Sequence, residues 1–145
     1  MNTVKNTEEQ SDTSPNPAKP FRVLLVDDED HILAFIRIKL RLNGYSVLSA
    51  ANAFEALEIL KSQPVDIAVI DLLMPGIGGL ELIEQMRLFT RIPVIVLTSM
   101  DCPETKLQAL SIGANDYLTK PFNPDEIVAR VEQFKRIHTM PECNG

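Results

Sequence analysis

Asp66-Ile67-Ala68-Val69-Ile70-Asp71-Leu72-Leu73-Met74-Pro75 decides how the rest of the chain is read. An apolar run rich in β-branched residues ends in a single carboxylate, and a turn carrying Pro75, Gly76, Gly78 and Gly79 follows at once. Such a run, bounded by turn signals, is the pattern of a strand buried in a parallel sheet. Asp71 is then expected at the strand's carboxyl end, where open α/β sheets place their sites. An Asp that merely starts a turn fits the same stretch, so the remaining strand ends have to decide between the two readings.

Working outward, the run Phe21-Arg22-Val23-Leu24-Leu25-Val26 also ends in acid, at Asp27-Asp28-Glu29-Asp30. The acids suit the positive end of a following helix. That helix is expected over His31 to Asn43, with Ile32, Phe35, Ile36 and Leu40 as its core face and Asn43-Gly44 as its stop. Ala34, Ile38 and Leu42 form a second apolar stripe, bordered by Arg37 and Arg41. His31 has no second His or Cys at ligand spacing and is read as a surface residue.

Further β-α units follow. A strand is expected over Tyr45–Ala50, then a helix over Ala53–Lys61 capped by Asn52, with Phe54, Leu57 and Leu60 inward. Val65–Ile70 leads to a helix over Gly79–Phe89 with Leu80, Ile83 and Met86 or Arg87 at core spacing. Pro93–Leu97 leads to a helix over Pro103–Ile112 stopped by Gly113. Asp116–Leu118 leads to a last helix from Asn123 to about His138, with Ile127, Val131 and Phe134 inward. The alternation of strand and helix implies one α/β domain, a doubly wound, five-stranded parallel sheet with helices on both faces; for about 120 residues the expected order is the common flavodoxin-like 2-1-3-4-5. The expected boundaries are a disordered polar tail over 1–20, the domain over 21–138 and a C-terminal tail over 139–145.

Composition narrows the classes. A chain of 145 residues with 45% hydrophobic and 23% charged residues has the make-up of one soluble domain. A net charge of -6 argues against nucleic-acid binding by this segment itself. Cys102 and Cys143 form no C-x-x-C pair, and no apolar run approaches membrane-span length. Both features suit a cytoplasmic protein.

In a parallel sheet the strands' carboxyl ends share an edge, and four ends here carry functional groups: Asp27 and Asp28, Asp71, Thr98, and Lys120. Clustered carboxylates repel one another and call for a cation. Hard oxygen ligands without His or Cys suit Mg²⁺ and not Zn²⁺. A metal, an ammonium and a hydroxyl around one carboxylate are what in-line phosphoryl transfer onto it requires. Asp71 is central and single, hence the acceptor; Asp27 and Asp28 are the metal holders.

The pieces V-D-D-E, D-L-L-M-P-G-I-G-G, V-L-T-S and G-A-N-D-Y-L-T-K-P-F together resemble the receiver domain of bacterial two-component response regulators, over about Phe21 to Ile137. The resemblance implies a phosphoprotein in which Asp71 takes a phosphoryl group from a sensor histidine kinase or phosphotransfer protein. It implies Mg²⁺ on Asp28, Asp71 and the carbonyl of Leu73, with Asp27 acting through water. It further implies that Lys120 contacts the phosphate before a cis bond at Pro121, and that Thr98 and Tyr117 act as a switch pair. The G-A-N-D-Y-L-T-K-P-F-N-P-D-E-I-V-A-R run is similar to the winged-helix transcription-regulator branch. In that branch, positions like Lys106, Asp116, Glu126 and Arg130 form inter-subunit ion pairs, so a weak homodimer favoured by phosphorylation is expected. Glu126 and Arg130, four apart, also suit an intrahelical pair. In the family the first helix meets the phosphohistidine-bearing bundle, which makes Ala34, Ile38 and Leu42 a candidate kinase-docking stripe.

This chain departs from the pattern at Ser99, where Ala is frequent, and at Leu73 and Met100, where polar groups often contact the attacking water. Slow self-dephosphorylation is the expected consequence. Asn115 stands where Asp is frequent, which would weaken one ion pair of a dimer. A haloacid-dehalogenase-type phosphatase would need a second acid at Leu73, a flavodoxin-like cofactor binder a phosphate loop after the first strand. A receiver that binds without being phosphorylated remains the other reading.

Overall fold

The computed structural model describes residues 20–27, 30–72, 78–98, 103–119 and 123–139. Of the expected tails at 1–20 and 139–145, all but Pro20 and Thr139 lie outside the described residues, and Thr139 is the last residue of the final helix. The strands are β1 (Arg22–Val26), β2 (Ser46–Ala50), β3 (Ile67–Asp71), β4 (Val94–Thr98) and β5 (Asp116–Thr119). The helices are α1 (Asp30–Leu42), α2 (Ala53–Ser62), α3 (Gly79–Met86), α4 (Pro103–Ser111) and α5 (Pro124–Thr139). The strands form one parallel sheet, as the alternating pattern implies, and its order β2-β1-β3-β4-β5 is the expected common one.

The central strands β3 and β4 are buried at every position, which is why they read as continuous apolar runs. Alternation along the strands sends their side chains into two cores. Leu24, Val26, Ile70 and Val96 meet α2, α3 and α4 through Ala53, Ala56, Leu82, Ile83, Met86 and Ala109. Leu25, Val69, Ile95 and Leu97 meet α1 and α5 through Ile36, Leu40, Ile127 and Val131. At about 25 cal/mol per Å² of apolar surface, each such fully buried side chain contributes roughly 2 kcal/mol before entropy is set against it.

Local signals account for several helix ends. The Asn52 side chain accepts from Glu55 N at 2.9 Å, and Glu55 Oε1 in turn accepts from Ala51 N at 2.9 Å, so two N-terminal amide groups of the α2 turn are satisfied. Asn123 Oδ1 accepts from Asp125 N at 2.9 Å at the start of α5. Gly44 and Gly113 stop α1 and α4 with φ of 91° and 123°, a region that side chains with a Cβ rarely enter.

Two aromatic residues expected in the core are on the surface. Phe35 is 58% exposed, although Ile36 and Leu40 beside it are buried. The buried line of α1 runs through the pair four apart, and Phe35 lies about 100° round the helix from Ile36. Phe54 is 69% exposed. The sheet-facing side of α2 is made by Ala53 and Ala56, whose small side chains let the helix lie close and leave Leu57 and Leu60 only half-buried at its flank. In α3 the inward residues are Leu82, Ile83 and Met86; Leu80 and Arg87 are half-buried. The Ile32 side chain lies outside the described residues.

Candidate functional site

The sheet register places the site's described residues. Val26 of β1 pairs with Ile70 of β3, so Asp27 follows on level with Asp71. Asp71 pairs with Leu97, and Thr98 pairs with Thr119. Asp27, Asp71 and Thr98 are therefore neighbours along one edge, and all are buried, at 2%, 1% and 0% exposure. Main-chain bonds fix this edge: Asp27 N donates to Ala50 O at 3.2 Å and Leu72 N to Leu97 O at 2.9 Å.

Alternation sorts the side chains by face. Asp27 and Asp71 continue the rows of Leu25 and Val69, on the α1–α5 side. Thr98 and Tyr117 continue the row of Val96, on the α2–α4 side. The expected switch pair thus shares one face on adjacent strands, and the acids share the other. Asp28, Leu73, Ser99, Met100, Lys120 and Pro121 lie outside the described residues. No group of three His, Cys, Asp or Glu side chains placed to hold a metal occurs among the described residues. The two acids that are described still fit Mg²⁺. They are hard oxygen donors, buried side by side, and this ion is commonly held by one or two carboxylates.

The helix after Asp71 begins against the strand end itself. Gly79 N donates to Leu72 O at 3.3 Å. A Cβ on Gly79 would stand 2.7 Å from Leu72 Cα and 2.8 Å from Asp71 O, so only glycine permits this approach.

The remaining candidates fall into separate places. Arg130 of α5 donates to Asp116 of β5 at 2.6 Å, and this hydrogen bond is the main reason its pKa is raised. The partner of Arg130 is thus on the neighbouring strand, where spacing alone had offered the intrahelical Glu126; Glu126 adds attraction from one turn away. Lys106 of α4 is away from this pair: its Nζ stands 5.1 Å from the centre of the Tyr117 ring. Ile38 and Leu42 are 55% and 77% exposed as expected, Ala34 is half-buried, and the exposed Phe35 joins them.

At the opposite edge, Asn115 has an unforeseen role. Its Oδ1 accepts from Val94 N at 2.9 Å and from Arg87 Nη2 at 3.2 Å. Arg87 also donates to Gly113 O at 2.8 Å and to Thr90 O at 3.1 Å. Burial, and then the nearby charge of Arg91, lower the Arg87 pKa. No sequence signal joins Arg87 to Asn115; only tertiary placement does. No helix among the described residues is long and apolar enough to cross a membrane.

Comparison with known proteins gives a consistent match. Residues 23–132 match the model of the response regulator receiver domain. The chain is 36% identical over 127 residues to the regulatory protein VanR of Enterococcus faecium, covering 85% of this chain and 55% of that protein. It is 39% identical over 117 residues to the transcriptional regulatory protein KdpE of Mycobacterium tuberculosis, covering 81% and 52%. The chain spans about half the length of these relatives. The solved receiver domain of the Francisella response regulator 1452 superposes with a TM-score of 0.77 at 38% identity, covering 82% of this chain and 99% of that one.

Proposed function

Because the chain belongs to the response regulator receiver family, we propose that it is a phosphorylation-switched signalling module in which Asp71 is the phosphoryl acceptor. The observation that carries this reading is the burial of Asp71 at the carboxyl end of the central strand, level with Asp27 and beside Thr98. The donor is a phosphohistidine on a sensor histidine kinase or phosphotransfer protein. A carboxylate oxygen of Asp71 attacks phosphorus, the P–N bond breaks, and the histidine nitrogen leaves with its electron pair and takes a proton. Asp27, Asp28, Asp71 and the Leu73 carbonyl would hold Mg²⁺, which when bound offsets the charge of the acids and of the equatorial oxygens. Lys120 supplies an ammonium and Thr98 a hydroxyl donor to the phosphoryl group. Tyr117 then follows the hydroxyl of Thr98 inward, on the face that both residues share.

The output is a change of surface and not a released product. The segment acts in the cytoplasm, binds no nucleic acid itself, and controls a partner or an output domain; transcription regulation fits the relatives it resembles. Lys106, Asp116, Glu126 and Arg130 give the face of a weak phosphorylation-favoured dimer, in which the Asp116–Arg130 pair is already made within the chain. The exposed stripe of Phe35, Ile38 and Leu42, with Ala34, is the kinase-docking surface. Leu73 and Met100 offer no hydrogen bond to an attacking water, so self-dephosphorylation is slow.

Acetyl phosphate with Mg²⁺ is expected to add one phosphoryl group, read by mass spectrometry, and Asp71→Asn to abolish it. Continued labelling of the Asn variant overturns the assignment, and an unlabelled wild type favours the binding-only receiver. For the docking stripe, Ile38→Asp is expected to slow transfer from the cognate kinase by about an order of magnitude, the scale of losing a buried hot-spot side chain. Labelling by acetyl phosphate should stay at its normal rate.

A further inference from the structure

The edge strand β5 is paired on one side only, to β4, so side chains from the helices do much of the work of seating it. It is clasped on both faces. On the α5 side Arg130 holds Asp116 at 2.6 Å. On the α4 side the Lys106 ammonium stands 5.1 Å from the centre of the Tyr117 ring, within cation–π range.

The two clasps hold very different helices. Ile127 and Val131 of α5 are completely buried in the core under β5. Ala109 is the one buried residue of α4, and Leu107 and Leu110 point outward at 66% and 42% exposure. A helix with so little buried apolar surface belongs to the low-stability end of a fold. For such a helix a single side-chain contact is a large share of what holds it in place.

We propose that Lys106 is a positioning residue for Tyr117, whose cation–π contact seats α4 on β5 and resists the inward movement of the ring. This deepens the reading of Asp71 as phosphoryl acceptor and Thr98–Tyr117 as switch, and rests on it. The Tyr117 ring is half-buried against the core on this side; a further turn inward beside Thr98 would take it away from the ammonium, so the contact stabilises the arrangement described here against the switched one. Lys106 therefore sets how readily the domain switches, although it touches neither phosphate nor metal.

The test uses the full chain at a concentration where sedimentation shows a monomer, with acetyl phosphate and Mg²⁺ as the probe. Lys106→Met keeps the aliphatic stem and removes the charge. It should speed labelling of Asp71 by about two- to five-fold, the range that an exposed cation–π contact is worth. Lys106→Arg, whose guanidinium also stacks on rings, should restore the slower rate. In a Tyr117→Leu background Lys106→Met should change nothing further, which a merely structural role of Lys106 would not predict. Fluorotyrosine incorporation gives an independent readout, because the chain has only Tyr45 and Tyr117. Lys106→Met should move the Tyr117 fluorine resonance and leave that of Tyr45 in place. An unchanged rate, or an equal change with and without the ring, overturns the clasp while leaving the acceptor reading intact. A wild type that acetyl phosphate does not label overturns the acceptor reading, and with it the clasp's role in switching; the fluorine shift then still decides whether the contact exists.

Discussion

The two edges of the sheet solve opposite problems. At the carboxyl edge Asp27 and Asp71 are buried side by side, with Thr98 next to them. At the amino edge the buried and half-buried polar groups close loops. Arg22 donates to Pro64 O at 2.6 Å and to Gln63 Oε1 at 3.1 Å, and its own N–H donates to Asp66 Oδ2 at 2.8 Å. Arg87 gathers Thr90, Gly113 and Asn115, and the Tyr45 hydroxyl donates to Glu132 of α5. At the amino edge the donors meet carbonyls, side-chain amides and single carboxylates of other elements, and these bonds hold the fold. Like charges gathered at the carboxyl edge repel, and a fold keeps such an arrangement where function requires it. One sheet therefore separates stability from chemistry by its direction.

The sharpest way to break this contrast is to remove one charge from the carboxyl edge. Asp27→Asn is expected to weaken Mg²⁺ binding about tenfold or more, while raising stability in a chelator by about 1 kcal/mol through relief of repulsion. Titration calorimetry and denaturant unfolding would read the two effects, and a loss of stability in the chelator would contradict the contrast. At the amino edge the outcome should invert. Arg87→Met strips charged donors from two carbonyls and from Asn115, and should cost about 2 kcal/mol in urea unfolding. Labelling of Asp71 by acetyl phosphate should be unaffected in the folded protein.

The helix-stop glycines sharpen the contrast further. A Cβ on Gly113 would stand 2.7 Å from Arg87 Nε, whereas one on Gly44 meets nothing within 4 Å. Gly44→Ala should cost about 1 kcal/mol for its backbone conformation alone, and Gly113→Ala about 1 kcal/mol more because Arg87 must shift as well. Equal thermal shifts for the two variants would mean that Arg87 does not hold that turn. An effect no larger than that of Gly44→Ala concerns pH. Burial, and then the hydrogen bond to Glu132, raise the Tyr45 pKa above its ordinary value of 10.0. The unfolded chain loses this proton near pH 10 while the folded one keeps it. The contribution of Tyr45 is thus whole below about pH 10 and is lost as pH rises toward the folded-state value. Tyr45→Phe should flatten that alkaline decline in a stability–pH profile by about 1 kcal/mol, the worth of one such group.

What was legible in the sequence follows from the same asymmetry. Strands buried on both faces must be continuous apolar runs, so β1, β3 and β4 and the acids or hydroxyl at their ends could be read directly. The β-α alternation implied a parallel sheet, and its order 2-1-3-4-5 was expected only as the common doubly wound arrangement, which the sheet adopts. Helix faces were less legible, because Ala53 and Ala56 carry the contact that Phe54 was expected to make, and Phe35 turned outward to extend a surface stripe. The amino-edge clamp could not be read at all. Arg87 and Asn115 belong to different β-α units, and nothing in their local spacing marks them as partners. The same is true of Lys106 and Tyr117, which only the seating of α4 on β5 brings together.

Gly79 has a consequence for how this domain could vary. Because its N–H donates to Leu72 O, the start of α3 is tied by main chain to the end of β3. Any side chain at position 79 would press on Leu72 Cα and the Asp71 carbonyl, so a substitution there would shift the end of the acceptor strand together with the helix.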